Sequence, residues 1–213
     1  SDLHTNLDIE AQKSAAKFLG NRRGAVVAID LDSGGINVLY SSPTYSINQL
    51  SNGMNEDDFQ ILIDDPDKPF FNRALKGRYP PASTIKPAIG MYGVSKNIVN
   101  WDFEIKDPGF FTLPETGRVF RGWRKGGHGK VNMHKAFLVS SNTYFFSLAY
   151  QADIEELSSY LTSLGFGQKV CLDCFDEDQA LVPTPEWKYS IMNAGWVKGD
   201  TVNLGVGQGY LLA

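Results

Sequence analysis

The sequence lacks long apolar runs and blocks of like charge. A membrane-spanning helix needs about 18 or more consecutive apolar residues, and no such run occurs in the 213 residues. The net charge is −4, with acidic and basic residues dispersed along the chain. The first absence excludes a membrane span within this stretch, and the second argues against a nucleic-acid partner.

Cysteine is scarce, and Cys171 and Cys174 are the two that occur. A C-x-x-C pair can be redox-active or form half of a zinc site. No second pair is present to complete a zinc site, and the surrounding sequence does not resemble a thioredoxin. We therefore expect two loop thiols, with a local disulfide as the alternative in an oxidising compartment.

The chain also lacks a signal segment, since Ser1 is not followed by a basic and then an apolar stretch. We expect a domain excised from a longer protein. Hydrophobic residues make up 42% and charged residues 21% of the sequence, which are ordinary values for a globular fold with a substantial core. The length fits one large domain or two small ones.

Local patterns predict several elements. Apolar residues at three- and four-residue steps, a capping Asp8 and a terminating Gly20 predict a helix over 8–19. Two β-rich runs, 24–30 and 36–40, flank a Gly-rich turn and predict a hairpin. The first run is apolar almost throughout, so we expect it to lie centrally in a sheet.

The remaining chain alternates between irregular and helical patterns. Turn residues dominate 41–79, which predicts loops of the kind that often shape a site. An excursion rich in Gly and aromatic residues is expected over 107–130. Helices are predicted over 88–94, 131–152 and 154–164. We expect His4 and His134 at the surface or in ordinary hydrogen bonds. The aromatic cluster is expected in the core, with a partner surface as the alternative, and its members are Phe110, Phe111, Phe120 and Trp123.

Ser83 and Lys86 form the pattern Ser-x-x-Lys at the predicted start of a helix. A serine hydroxyl is a weak nucleophile until a base takes its proton. A lysine three residues later shares the same helix face, and partial burial would lower its pKa enough to act as that base. The pattern alone is weak, because a capping serine and a surface lysine produce it too.

The segment Ser140-Ser-Asn142 strengthens this hypothesis. Serine acyl-transfer enzymes that recognise penicillin combine Ser-x-x-Lys with a later Ser-x-Asn and then Lys-Thr-Gly. In the second motif the Ser140 hydroxyl would pass protons between Lys86 and the leaving nitrogen. The Asn142 side chain would hold the lysine and a substrate carbonyl.

The sequence resembles the transpeptidase domain of class B penicillin-binding proteins, in the elongation-type (penicillin-binding protein 2) branch of Gram-negative bacteria. The resemblance covers nearly the whole chain. It is carried by six segments: Ala25–Asp30, Tyr79–Pro87, Asp107–Pro114, Gly127–Asn132, Ser140–Phe145 and Gly199–Gly209.

The resemblance implies the fold and the reaction. The expected fold is α/β (α+β), the penicillin-recognising serine transpeptidase fold, with an antiparallel sheet flanked by helices. Residues 1–213 would form one such domain, truncated at its C-terminal end. Ser83 would be acylated by a peptidoglycan stem peptide ending in D-Ala-D-Ala, and an amine from a neighbouring stem would complete a 4→3 cross-link. β-Lactams would acylate the same serine.

The resemblance also implies surroundings for the complete protein. An N-terminal helix absent from this chain would anchor it in the bacterial inner membrane, with the domain in the periplasm. A membrane glycosyltransferase and other elongation proteins would be partners. No nucleic acid is expected.

Two departures from the family pattern stand out. Lys-Thr-Gly does not occur before Ala213, so this stretch is expected to be inactive without that motif. Some relatives bind zinc through two aspartates, a histidine and a cysteine. Asp107 and His128 match two of these positions, but Gly122 and Ser141 replace the others. We therefore expect no metal and no cofactor.

Alternative functions share parts of this pattern. A class D-like β-lactamase or a β-lactam sensor domain also uses Ser-x-x-Lys, and these would hydrolyse or hold the drug. A non-catalytic scaffold of the elongation machinery is a further alternative. Retention of Ser83, Lys86, Ser140 and Asn142 together argues against the scaffold.

Overall fold

The first helix begins at its predicted cap. In the computed structural model, which describes residues 4–213, α1 spans Ile9–Leu19, and the Asp8 carboxylate accepts from two backbone amides of its first turn. Gly20 ends the helix, as predicted. Ser1–Leu3, on which the expectation about the chain start partly depends, lie outside the described residues.

The predicted hairpin forms, but its first strand is not central. Strand β1 (Gly24–Ile29) pairs antiparallel with β2 (Ile36–Ser42), with Val27 opposite Leu39. Within residues 4–213 these two strands form a sheet by themselves, and Val27 and Ile29 are 47% and 54% exposed. The prediction of a central strand is therefore wrong for the described chain, because an apolar run does not specify a second pairing partner.

Three short helices occupy the region that was predicted as loops. Each begins at a residue whose side-chain oxygen accepts from a backbone amide of the first turn, which is the usual role of an N-cap. The caps are Ser46, Asn55 and Asn72, and the helices are α2 (Ile47–Ser51), α3 (Glu56–Asp64) and α4 (Arg73–Lys76).

The chain divides into two units. The first comprises the chain up to Gly77 together with Cys171–Asp178, and it contains α1–α4, β1 and β2. The second comprises Arg78–Val170 and Gln179–Ala213. A segment of the first unit is therefore inserted in the chain of the second.

The second unit contains most of the helices and two small antiparallel sheets. One sheet pairs Ile105–Asp107 with Gly129–Val131, and the other pairs Phe110–Thr112 with Val119–Arg121. In chain order its elements are a 3-10 helix (Ala82–Ile85), α5 (Lys86–Ser95), β3 (Ile105–Asp107), β4 (Phe110–Thr112), β5 (Val119–Arg121), β6 (Gly129–Val131), α6 (Met133–Leu138), α7 (Asn142–Gln151), α8 (Ile154–Ser163), α9 (Pro185–Met192) and α10 (Lys198–Leu204).

Helices α5 and α7 lie in the core of the second unit. Ile89 and Tyr92 of α5 and Phe145 and Leu148 of α7 are all 0% exposed. They belong to one continuous hydrophobic cluster that also includes α8 and α10 residues. A helix buried on most sides is fixed in place by packing, so the residues at its ends are held firmly.

The single helix predicted over 131–152 is instead two helices. Strand β6 ends at Val131, α6 covers Met133–Leu138, and α7 starts at Asn142. The prediction failed because Ser140 turns the chain in a left-handed conformation, with φ 50°. Serine carries no sequence signal for that conformation, which glycine usually adopts. The helix predicted over 154–164 is confirmed as α8.

Other local expectations have mixed outcomes. Cys171 and Cys174 are joined in a disulfide, so the alternative is confirmed and the expectation of two free thiols is wrong.

In the aromatic cluster Phe120 is buried and Phe111 packs against the core, but Phe110 and Trp123 are exposed. His4 and His134 are exposed, as expected. None of the helices in the described part of the chain has the length and hydropathy to cross a membrane.

Candidate active site

Ser83 lies in the 3-10 helix and is exposed to solvent. Ala82, just before it, has a left-handed backbone with φ 50°, and its amide donates to the Gly207 carbonyl over 2.9 Å. Buried Ile85 fixes the other end of this helix in the core. The Ser83 hydroxyl makes no hydrogen bond to any group within residues 4–213, so it is free to meet a substrate.

Gly207 permits the close approach beneath Ser83. A Cβ at this position would overlap the Ala82 carbonyl oxygen and amide nitrogen. Its φ of 69° is also one that L-residues rarely adopt. Glycine is therefore required here by both space and conformation.

Lys86 is the first residue of α5 and is only 2% exposed. Its Nζ donates to the Ser140 carbonyl oxygen over 3.0 Å, to the Ser140 hydroxyl over 2.9 Å and to Asn142 Oδ1 over 2.7 Å. An ammonium group has three donors, so two residues use all of them. The ring centroid of Phe145 lies 5.4 Å from Nζ, within range of a cation–π contact.

Burial lowers the pKa of Lys86 from 10.5 to about 8. Desolvation disfavours the charged form of a lysine, and none of its three hydrogen-bond acceptors is a carboxylate. Roughly a tenth of the molecules would then carry a neutral Lys86 near pH 7. A neutral amine at this position can take a proton from a hydroxyl.

Ser140 sits in a tight turn between α6 and α7. The Ser141 amide donates to the Ala136 carbonyl over 2.9 Å, and the Ser140 amide donates to the Phe137 carbonyl over 3.2 Å. These two bonds define a Schellman motif, in which the residue at the Ser140 position is left-handed. The turn brings both the carbonyl and the hydroxyl of Ser140 to Lys86.

Ser141 connects this turn to a buried carboxylate. Its hydroxyl donates to Asp107 Oδ2 over 2.7 Å and accepts from the Tyr144 amide over 3.3 Å. Burial opposes ionisation of Asp107, but the facing Thr143 and Ser141 hydroxyls and the Gly109 amide outweigh it and lower its pKa. The carboxylate is therefore kept ionised at the end of strand β3.

The structure places three of the four predicted residues in direct contact. Lys86, Ser140 and Asn142 form one hydrogen-bonded group. Ser83 lies one helical turn before Lys86, and its carbonyl accepts from the Lys86 backbone amide, but the two side chains make no hydrogen bond to each other. The roles assigned to these four residues stay predictions. Sequence reasoning missed the Phe145 contact, although this residue belongs to the same Ser-x-Asn segment.

The residues at the family's zinc positions do not fit a zinc ion. Gly122 offers no ligand atom, and the Ser141 hydroxyl is engaged with Asp107. The His128 ring lies 5.2 Å from the Trp123 ring, centroid to centroid. Two donors, Asp107 and His128, fall short of the four that structural zinc takes.

Elsewhere in the described residues, the one group of three potential metal donors is Cys171, Asp173 and Cys174. The two sulfurs of this group are already joined in the disulfide. A sulfur in a disulfide is not a thiolate, and thiolate is the form that binds zinc. This group does not supply a zinc site in its observed state.

An apolar cavity of about 410 Å³ lies beside α5 in the second unit. Met91, Trp101, Met133 and Phe137 are among its lining residues. It contains no titratable side chain and none of the acceptors of Lys86. The reactive groups therefore lie outside this cavity.

Comparison with known proteins gives a consistent family. Residues 24–213 match the family model described as the penicillin binding protein transpeptidase domain. The peptidoglycan D,D-transpeptidase MrdA of Acinetobacter baumannii is 45% identical over 213 residues, which is all of this chain and 32% of that protein. The chain thus spans about a third of the length of the curated relatives it matches.

Solved structures agree with this match. Pseudomonas aeruginosa PBP2 in complex with WCK 5153 has a TM-score of 0.95 and 38% identity, with 98% of this chain and 45% of that chain covered. PBP2 of Helicobacter pylori in complex with MreC has a TM-score of 0.92 and 35% identity, with 97% and 38% covered. The α+β fold expected from the sequence is therefore confirmed, and the chain covers the N-terminal part of it.

Proposed function

The chain belongs to the penicillin-binding protein transpeptidase family, and on that premise we propose that the protein is a peptidoglycan D,D-transpeptidase that forms 4→3 cross-links during cell-wall elongation. The observation that carries this proposal is the group formed by Lys86, Ser140 and Asn142, one helical turn from an exposed Ser83. Similarity over the whole chain to MrdA, named a peptidoglycan D,D-transpeptidase, supports the reaction, and similarity to PBP2 structures supports the penicillin-binding protein 2 branch. We propose that both units belong to one transpeptidase domain covering 1–213.

Acylation begins with Ser83. Neutral Lys86 accepts the hydroxyl proton as the Ser83 oxygen bonds to the carbonyl carbon of the penultimate D-alanine. The bond from that carbon to the terminal D-alanine nitrogen then breaks, and the amine leaves with a proton. A bond to serine replaces a bond to nitrogen, so atoms and charge balance.

Ser140 conveys the proton to the leaving amine. Its oxygen already accepts from Lys86 Nζ, so its own hydrogen is free to point to the leaving nitrogen. Asn142 holds Lys86 through its carbonyl oxygen, and its amide group remains available for a substrate carbonyl. In the second half-reaction an amine from a neighbouring stem attacks the ester and releases Ser83.

The same serine would be acylated by β-lactams, because their strained amide carbonyl meets the same nucleophile. A β-lactamase would hydrolyse this ester rapidly, whereas a transpeptidase or a sensor would hold it. The Lys-Thr-Gly motif expected from the family would complete the site from outside this chain. A membrane anchor, a periplasmic location and a glycosyltransferase partner are proposed for the complete protein on the same ground.

Mass spectrometry of the complete protein after exposure to a penicillin tests this proposal. We expect one covalent adduct that maps to Ser83 and persists for minutes or longer, and no adduct in Ser83→Ala. Rapid turnover of the drug would replace the transpeptidase with a β-lactamase. No acylation under any condition would leave only the scaffold alternative.

A further inference from the structure

We propose that Asp107, acting through Ser141, is a positioning residue that holds the Ser140 turn against Lys86. The two residues are joined by a direct hydrogen bond, at positions where the resemblance implied zinc ligands. The inference rests on the proposed function, because it requires Lys86 and Ser140 to act in acylation.

The Ser140 turn needs an external hold. Its left-handed φ of 50° is unfavourable for a residue with a side chain. A glycine would relieve that strain but would carry no hydroxyl to Lys86. The turn must therefore be held by its neighbours, and it is joined directly to Ser141.

Ser141 is placed to provide that hold. Ser141 is 1% exposed and contacts both flanking helices. Its amide donates to the end of α6, and its hydroxyl caps α7. A carboxylate only accepts hydrogen bonds, so the single hydroxyl hydrogen of Ser141 must point to Asp107. The orientation of this hydroxyl is thus fixed, because it donates to Asp107 and accepts from the Tyr144 amide.

Asp107 is itself immobile. It is 2% exposed, its Oδ1 accepts from the Gly109 amide over 2.7 Å, and its backbone pairs with Gly129 in the β3–β6 sheet. The Ser141 hydroxyl therefore bonds to a charged group that the β3–β6 sheet and the Gly109 amide hold in position. A bond of 2.7 Å to a carboxylate is among the stronger hydrogen bonds in proteins.

The hydrogen bond from the Ser141 hydroxyl is the main polar contact between Asp107 and the residues around the Ser140 turn. The Thr143 hydroxyl is buried beside the carboxylate and helps to lower its pKa, but its geometry does not meet that of a hydrogen bond to any group within residues 4–213. A Cβ at Gly122 would lie 3.2 Å from the Gly109 carbonyl oxygen and 3.6 Å from the Thr143 hydroxyl, so a side chain there would crowd the same space.

The test uses Ser141→Ala and Asp107→Asn in the complete protein, with acylation by a fluorescent penicillin followed by stopped flow. An error of about 1 Å in a catalytic group can lower a rate by about 100-fold. We expect the first-order acylation constant of Ser141→Ala to fall at least about 10-fold, while the dissociation constant of the initial complex changes less than about 3-fold. Asp107→Asn keeps an acceptor for the hydroxyl, so its loss should be smaller than that of Asp107→Ala.

The double variant of Ser141→Ala and Asp107→Asn, together with a matched control, separates an effect on the position of the Ser140 turn from a general loss of fold stability. Because Asp107 and Ser141 act through one bond, the loss in the double variant should match that of the worse single variant and not their product. Thr184 caps α9 through its hydroxyl, and Thr184→Ala should destabilise the fold without slowing acylation. If Ser141→Ala does not fold, Asp107→Ala takes its place in the same measurements, because it also removes the bond between the two side chains.

Three outcomes would overturn the inference: acylation of the folded Ser141→Ala variant at the parent rate, fully multiplicative effects in the double variant, or equal slowing in Thr184→Ala. Ser83→Ala is measured in parallel. If it is still acylated to the same extent, the proposed function fails. If it is inert while Ser141→Ala acylates normally, only the positioning role fails.

Discussion

The turn before Ser83 and the turn at Ser140 share one backbone conformation but have different supports. Ala82 and Ser140 both have φ 50°. The first turn is held by backbone, through the bond from the Ala82 amide to the Gly207 carbonyl. The second has the local backbone bonds of its Schellman motif and, in addition, hydrogen bonds made by the Lys86 and Ser141 side chains.

The difference matches the roles proposed for the two serines. A backbone support leaves the Ser83 side chain without a partner, which suits a nucleophile that must bond to a changing set of reactants. A side-chain support fixes the hydroxyl of Ser140, which suits a group that must keep contact with Lys86 throughout. Strained backbone at a functional site is stable only when its surroundings enforce it.

The largest effect should come from removing the backbone support. Gly207→Ala places a methyl group against the Ala82 carbonyl, and we expect a loss of about 2–5 kcal/mol in the free energy of unfolding. Acylation of Ser83 should fall with it. Chemical denaturation and penicillin-binding rates measure the two effects.

Gly209→Ala is the matched control for that variant. Gly209 also has a positive φ, of 79°, but the atom nearest to its Cβ position is Asn203 Cβ at 3.3 Å. It should show the conformational penalty with little of the overlap. Equal losses in both variants would mean that the contact with Ala82 has no special weight.

Ser140→Gly should separate activity from stability. It relieves the left-handed strain but removes the hydroxyl that bonds to Lys86, so acylation should fall about 100-fold or more. Ser140→Ala loses the same hydroxyl and keeps the strain, so it should be about 1 kcal/mol less stable than the glycine variant. Two equally stable variants would show that the turn is not strained.

The pH dependence should report on Lys86. Burial lowers its pKa to about 8, so acylation should rise about tenfold per pH unit below 8 and level off above it. The folded state then binds fewer protons than the unfolded state between pH 8 and 10.5, and stability should rise with pH in that window. A rate that is flat from pH 6 to 9 would remove Lys86 as the base.

Ala82→Gly should have the smallest effect. Glycine accepts φ 50° without strain, so we expect a gain of up to about 1 kcal/mol in stability, reduced by the greater freedom of glycine in the unfolded chain. Ala88→Gly, within the buried part of α5, should instead lose about 1 kcal/mol or more. Thermal denaturation of both variants measures the contrast, and a loss in Ala82→Gly would show that Ala82 contributes more by packing than it costs in strain.

The sequence was informative where a local signal determines the structure. Asp8 and Gly20 mark the ends of α1, and the two serine motifs indicated the group around Lys86. It was not informative where distant residues decide. Ser140 adopts a glycine-like conformation in a turn that contacts Lys86, 54 residues away in the chain, and no local pattern encodes that contact.

Two further misses have the same cause. The short helices α2–α4 carry good caps but too few apolar repeats to be recognised by periodicity. Asp107 and Ser141 were related to each other only as two positions of a metal-ligand set, because their mutual bond joins positions 34 residues apart. Such pairs become visible only once the strands and helices are placed.

The chain passes between the two units three times, after Gly77, after Val170 and after Asp178. Because each unit consists of two separate segments, no continuous fragment of the chain contains all of one unit and nothing of the other. A fragment that starts at Arg78 would keep Cys171–Asp178 but lose Leu75 and Lys76, which contact that segment through a backbone hydrogen bond and an ion pair. A single crossover at this point between two relatives would therefore separate Leu75 and Lys76 from the segment that they contact.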